Sequence, residues 1–279
     1  MRFGARLART LGRTAARMVL VPVCLYFLVF SPADRRASTK FLRKALGREP
    51  RIADTYRHFY AFAATILDRV FLCSGQYAHF DVRVHGEDVL AQMYARGEGG
   101  LLVGAHLGSF EIVRFLGREE RGLRVNLVMY EETARNLNAV LDAVDPGRSM
   151  PVIALGKLES MLKVQEAVAR GEFAGILADR TIEGQGTIAC EFLGEPARFP
   201  AGPFRLALML RRPLILMLGL YRGGNRYDIH FELLDDLRDV ERGQREARVQ
   251  QLLEKYVRRL EHYCRAAPYN WFNFHDYWN

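Results

Sequence analysis

Between residues 100 and 178 the chain alternates short, unbroken apolar runs with amphipathic stretches, and few folds accept that rhythm. "GLLVGA", "LRVNLVMY", "PVIAL" and "FAGILA" have strand length without polar alternation, whereas residues 110–116, 133–144 and 158–170 space their apolar residues as helices do. A strand that is apolar at every position is buried on both faces, so the pattern predicts an α/β fold with a mostly parallel central sheet flanked by helices. After Asp179 the rhythm changes: "TIACEFLGEPARF", "RPLILMLGLYRG" and "RYDIHFELL" read as strands, separated by the helix "GPFRLALML" and a Gly-Gly turn at 223 and 224. A helix over about 244–262 and an aromatic tail follow. Upstream, residues 40–80 read as mostly helical, with "RIADTYRHFYAFAATILDRVFLCSG" ending at Gly75, then a strand ending near His85 and a helix to about Arg96. With 279 residues and 49% hydrophobic content, the chain can fill one large core.

The formal charge of +8 calls for anionic company, and the N-terminus indicates which kind. Arg2, Arg6, Arg9, Arg13 and Arg17 recur at helical spacing and lead into "MVLVPVCLYFLVF", from Met18 to Phe30. That apolar run is shorter than the ~20 residues that cross a hydrocarbon core. Arg35 and Arg36 follow it as closely as Arg17 precedes it, so the charge bias favours no crossing. The expectation is a monotopic or single N-terminal anchor on a phospholipid membrane. Nucleic acid is disfavoured, because the arginines accompany neither an RNA-binding aromatic motif nor a zinc-finger spacing. The scattered Cys24, Cys73, Cys190 and Cys264 read as free thiols.

"LLVGAHLGSFEIVRFLG" carries the chemistry. His106 ends an apolar strand, the place where open α/β sheets bind ligands. Gly108 and Ser109 allow close approach and a helix start, and Glu111 lies in that helix's first turns. Spacing alone leaves three readings open: a general base with Glu111 as its orienter, a structural histidine beside an unrelated acid, or metal chemistry. A covalent triad is disfavoured because no G-x-S-x-G elbow is present. The other histidines (His58, His79, His85, His230, His262 and His275) show no metal-binding spacing, and neither a metal nor a cofactor is expected.

"AHLGSFE" matches the H-x-x-x-x-[DE] pattern of glycerolipid acyltransferases, and the chain more closely resembles the bacterial lipid A biosynthesis (lauroyl/myristoyl) acyltransferase family. "GILADRTIEGQGTIACEFLGEPARFPAGPFRLALMLRRPLILMLGLYR" and the tail "PYNWFNFHDYW" extend the likeness over roughly residues 10–279. The resemblance implies a glycerolipid-acyltransferase-like fold, with an anchor over 1–38 and an acyltransferase domain over 39–279. It implies that His106 is the base and Glu111 its orienter, and that Asp179 is a carboxylate at the mouth of the same cleft. Arg180 stands where the family usually has glutamine, and Arg205 and Arg222 would clamp phosphate or carboxylate. The donor implied is acyl carrier protein or coenzyme A, the acceptor a lipid hydroxyl or amine, and the location the cytoplasmic face of the bacterial inner membrane. Arg180, with Glu131 and Glu132, points away from lipid A toward a lysophospholipid-like or amino-bearing acceptor. An inactive lipid-binding scaffold and a thioester hydrolase are the rival readings.

Overall fold

The computed structural model describes residues 2–73, 75–110, 112, 124–130, 152–155, 158–181, 186–238 and 245–278, with only the helix backbone for 2–11. Five strands share one direction: β2 (Leu101–Gly104), β3 (Val125–Tyr130), β4 (Val152–Leu155), β5 (Phe173–Leu177) and β8 (Leu214–Tyr221). Strand β9 (Arg226–Asp235) folds back antiparallel to β8, and β1 (Asp81–His85) pairs parallel to β9, giving the order β1-β9-β8-β2-β5-β3-β4. Every residue of β2 and β8 is buried, as an unbroken apolar strand in a covered sheet must be.

"TIACEFLGEPARF" is not one strand but a hairpin, β6 (Thr187–Phe192) with β7 (Glu195–Pro200), outside the main sheet. Leu193 (φ 53°) and Gly194 (φ 83°) both take the left-handed turn conformation that matches the twist of a two-residue hairpin. The expected helices over 110–116 and 133–144, with Glu131 and Glu132, lie outside the described residues.

One face of the sheet is covered by α5 (Leu158–Ala169), α6 (Gly202–Leu210) and α7 (Arg245–Ala266), whose Leu253, Tyr256 and Leu260 share one core with Leu101, Val103, Leu216 and Leu218 of the sheet. The other face carries α3 (Ile52–Cys73) and α4 (Glu87–Ala95), where Ala64, Leu72, Leu90 and Met93 pack with Ile215, Met217 and Ile229. Helix α2 (Pro32–Leu46) runs unbroken through residues 38 and 39, and its Phe41 and Leu42 are buried in the first core.

Helix α1 (Arg2–Phe30) breaks at Gly12 (φ 78°, ψ 160°), and the segment from Gly12 to Phe30 is long and apolar enough, by length and composition, to cross a membrane. The apolar run Met18–Phe30 is thus part of a longer helix, which continues upstream of Met18 through the Ala15–Ala16–Arg17 turn. That helix is not free of the domain. Arg13 and Arg17 form ion pairs with the fully buried Asp68 of α3, at 2.8 Å each, and Cys24 and Leu28 are buried against Phe59. Its remaining face exposes Met18, Val19, Leu25, Tyr26, Val29 and Phe30.

Candidate active site

Strands β2 and β5 pair as Leu101↔Ala174 through Gly104↔Leu177. Continuing that register two residues past the strand ends brings His106 opposite Asp179. Strand β2 also lies between β5 and β8, so its carboxyl end opens inside the sheet rather than at an edge, in the usual ligand crevice of an open parallel sheet.

At that end His106 Nδ1 lies 2.9 Å from Asp179 Oδ1, and the His106 backbone N–H donates to Asp179 Oδ2 at 2.9 Å. Trp271 Nε1–H donates to the same Oδ2 at 2.9 Å. Burial of Asp179 opposes its ionisation, but the His106 imidazole, Arg180 and the Trp271 donor outweigh it and hold the carboxyl below its usual value. An ionised Asp179 accepts at Nδ1, which assigns the proton there and leaves Nε2 as the basic nitrogen. Among the described residues Nε2 meets no hydrogen-bond partner, and the side chain is one-third exposed while Asp179 is 0% exposed.

The C-terminal tail closes around this pair. Phe272 N–H donates to His106 O and Gly108 N–H to Asn270 O, both at 2.8 Å, and Leu107 bridges Trp271 in antiparallel fashion. On its other side the loop bonds β8, with Ser109 N–H donating to Gly219 O at 2.7 Å. Gly108 is at φ 79°, and a Cβ there would lie 2.0 Å from Gly219 O, so only glycine permits this approach. The Asn270 side chain accepts from Tyr221 N and donates to Tyr221 O, tying the tail to the end of β8. Tyr277 OH donates to Asp179 O at 2.7 Å.

Behind Trp271 lies a second, fully buried layer. His58 Nε2 bonds Trp271 O and its Nδ1 bonds Ser38 Oγ, each at 2.8 Å. Burial pushes the His58 pKa down to about 4, although the Trp271 carbonyl opposes this, so the ring is neutral: it donates from Nε2 and accepts at Nδ1. Although Ser38 and His58 have a serine–histidine contact, both are 0% exposed and His58's other nitrogen is occupied, so the pair reaches no substrate.

The sequence-predicted residues divide accordingly. His106 stands where a base is useful. Asp179 is fully buried behind His106, with both carboxylate oxygens accepting hydrogen bonds from His106 and one also from Trp271. Glu111 lies outside the described residues, and the carboxylate at Nδ1 is Asp179. Arg180 is partly buried and donates to Phe272 O at 2.6 Å, so one of its guanidinium donors is given to the tail. Arg205 pairs with Glu246 at 2.9 Å on the surface, and Arg222 with Asp228 at 2.7 Å. Among the described contacts neither arginine reaches His106 or Asp179. Asn270, Trp271, Tyr277 and His58 were missed as supports of the site; the available signal was the density of aromatic residues in the tail, which holds both of the chain's two tryptophans.

Beside the tail a cavity of about 570 Å³ is lined by Arg36, Lys40, Arg43, Lys44, Arg51 and Glu195, among others. Lys40 pairs with Asp276 at 2.7 Å and Lys44 with Glu195, which leaves the lining strongly cationic.

The family model for bacterial lipid A biosynthesis acyltransferases matches residues 45–279. No curated protein matches the chain. Among solved structures, the 1-acyl-sn-glycerophosphate (LPA) acyltransferase PlsC from Thermotoga maritima is similar at 10% identity and a TM-score of 0.38, covering 89% of this chain and 99% of that one. That likeness is too distant to bear on the site. The family match includes every strand and every residue placed around His106 except Ser38, and the chain belongs to the bacterial lipid A biosynthesis acyltransferase family.

Proposed function

We propose that this acyltransferase moves a fatty acyl group from a thioester, carried by acyl carrier protein, to a hydroxyl or amino group of a lipid acceptor, with His106 as general base. The observation that carries the reading is His106 at the carboxyl end of β2, its Nδ1 held by the buried Asp179 and its Nε2 without a hydrogen-bond partner among the described residues. Nε2 takes the proton of the acceptor as its oxygen or nitrogen attacks the thioester carbon. The tetrahedral intermediate then collapses, the C–S bond breaks, and the imidazolium returns the proton to the departing thiolate. No covalent enzyme intermediate is needed, and Ser109, the hydroxyl nearest in sequence, is buried. Glu111, outside the described residues, keeps the role the family pattern implies for it, helping to orient and polarise His106.

The cationic cavity lined by Arg36, Lys40, Arg43 and Arg51 supports an acidic donor or an anionic headgroup near the tail. Arg180 keeps the acceptor reading on the lysophospholipid-like or amino-bearing side. The anchor, carried by α1 within residues 1–38, holds the domain of 39–279 on the cytoplasmic face of the inner membrane. The test is purified protein with acyl-carrier thioester or acyl coenzyme A and bacterial lipid extract, read by mass spectrometry. A new acylated lipid with one donor supports transfer and identifies the carrier. Free fatty acid alone makes the protein a hydrolase, and no product with any donor makes it a scaffold.

A further inference from the structure

We propose that His85, Asp228 and His230 form a binding site for a divalent transition-metal ion of the zinc type, at the β1–β9 edge of the sheet and separate from His106. The parallel register of these strands sets His85 opposite His230 and Arg83 opposite Asp228. Positions 228 and 230 share one face because strand side chains alternate. One donor atom from each of the three residues lies within 4.8 Å of the others. Two ligands at ~2.1 Å from one zinc ion lie at most ~4.2 Å apart. The rings of His85 and His230 stack at 4.5 Å with an interplanar angle of 10°, so the site closes when the exposed His85 ring turns out of that stack to bring its lone pair toward the other two donors.

Several independent features suit a metal. His230 Nε2 is buried and has no hydrogen-bond partner among the described residues, a cost that an ion would remove. Asp228 Oδ2 accepts from Arg222 Nε at 2.7 Å, which orients the carboxylate from behind, while Oδ1 has no hydrogen-bond donor among the described residues. Gly86, at φ 76°, packs so closely on Phe231 that a Cβ would sit 1.9 Å from its carbonyl oxygen, and this fixes the turn that presents His85.

Two imidazole nitrogens and one carboxylate oxygen favour zinc, cobalt, nickel or copper over magnesium or calcium. Strand β1 pairs only with β9 in the sheet, so an ion here clips an edge strand in place, and solvent at the exposed side completes its shell. The test uses untagged, full-length protein in detergent, stripped with chelator and titrated with Co²⁺, with Zn²⁺ as competitor. The expected result is one Co²⁺ per chain with visible absorption that Zn²⁺ abolishes, and a higher melting temperature with Zn²⁺. His85→Ala, at an exposed position, should keep the native circular dichroism and lose both effects, Asp228→Asn should weaken binding at least tenfold, and His79→Ala should change neither. Absence of a Co²⁺ band in the parent protein, or an undiminished band in His85→Ala, overturns the site.

Discussion

Asp179 uses both carboxylate oxygens to hold His106 from behind, at the backbone N–H and at Nδ1, and this arrangement makes the histidine's role testable residue by residue. His106→Ala removes the base and should abolish transfer in a folded protein; near-normal turnover at saturating donor and acceptor would sink the mechanism. Asp179→Asn should reduce kcat by about 10²–10⁴-fold, the range of positioned acid–base help, with little change in KM for either substrate. His58 offers a pH test of the layer behind. Its folded pKa of about 4 lies below the ordinary 6.5, so between those values the unfolded chain binds a proton that the native protein does not. Stability is therefore fully present above pH 6.5 and is lost as pH falls toward 4, by up to roughly 3 kcal/mol at 1.36 kcal/mol per unit. Urea titrations at pH 7 and pH 5 should show this loss, and His58→Gln should flatten it; an equal pH response in both proteins would contradict the buried neutral ring. His106 and Asp179 were each legible as polar residues ending apolar strands. Their bond was not, because it spans 73 positions and follows from the β2–β5 register rather than from proximity along the chain.

Among the elements, the aromatic tail and α1 contribute most beyond the sheet. Trp271→Phe keeps a ring against Phe41, Phe192 and Tyr277 but deletes the donor to Asp179. Losing a hydrogen bond to a buried charge should cost about 1.5–3 kcal/mol in urea unfolding and lower kcat, and unchanged values for both would show the indole N–H to be idle. For α1, simple deletion is a poor test: it would expose Phe59 and strip Arg13 and Arg17 from Asp68. Substituting outward residues is cleaner. Val19→Gln, Leu25→Gln and Val29→Gln together should shift the protein from the membrane pellet to the soluble fraction with native circular dichroism. Retention of the triple variant in salt-washed membranes would move the anchor elsewhere. The basic-apolar pattern announced this helix, whereas its docking on α3 depends on a buried carboxylate 51 and 55 residues away.

For the whole molecule, a helix tied to the domain through Arg13, Arg17, Cys24 and Leu28 exposes apolar residues to solvent, as do Ile52, Phe62 and Ile66 of α3. A spanning helix would have to leave those contacts, so a monotopic seat fits the packing better. A C-terminal tag in intact spheroplasts should accordingly resist protease added from the periplasmic side, and cleavage there would reverse the orientation. The parallel strands, the long helices, the apolar N-terminus and the histidine at a strand end were all readable from the sequence. Each is written in a local period, set by strand alternation, helical spacing or an unbroken apolar run, and neighbouring residues suffice to express it. Only the tertiary structure decided which distant groups meet. Strand order joined His106 to Asp179 and His85 to His230, tail docking brought Trp271 and His58 behind the base, and surface pairing turned Arg205 toward Glu246 and Arg222 toward Asp228. Those contacts depend on sheet register and on burial of the tail, and both are settled by packing between segments far apart in the chain.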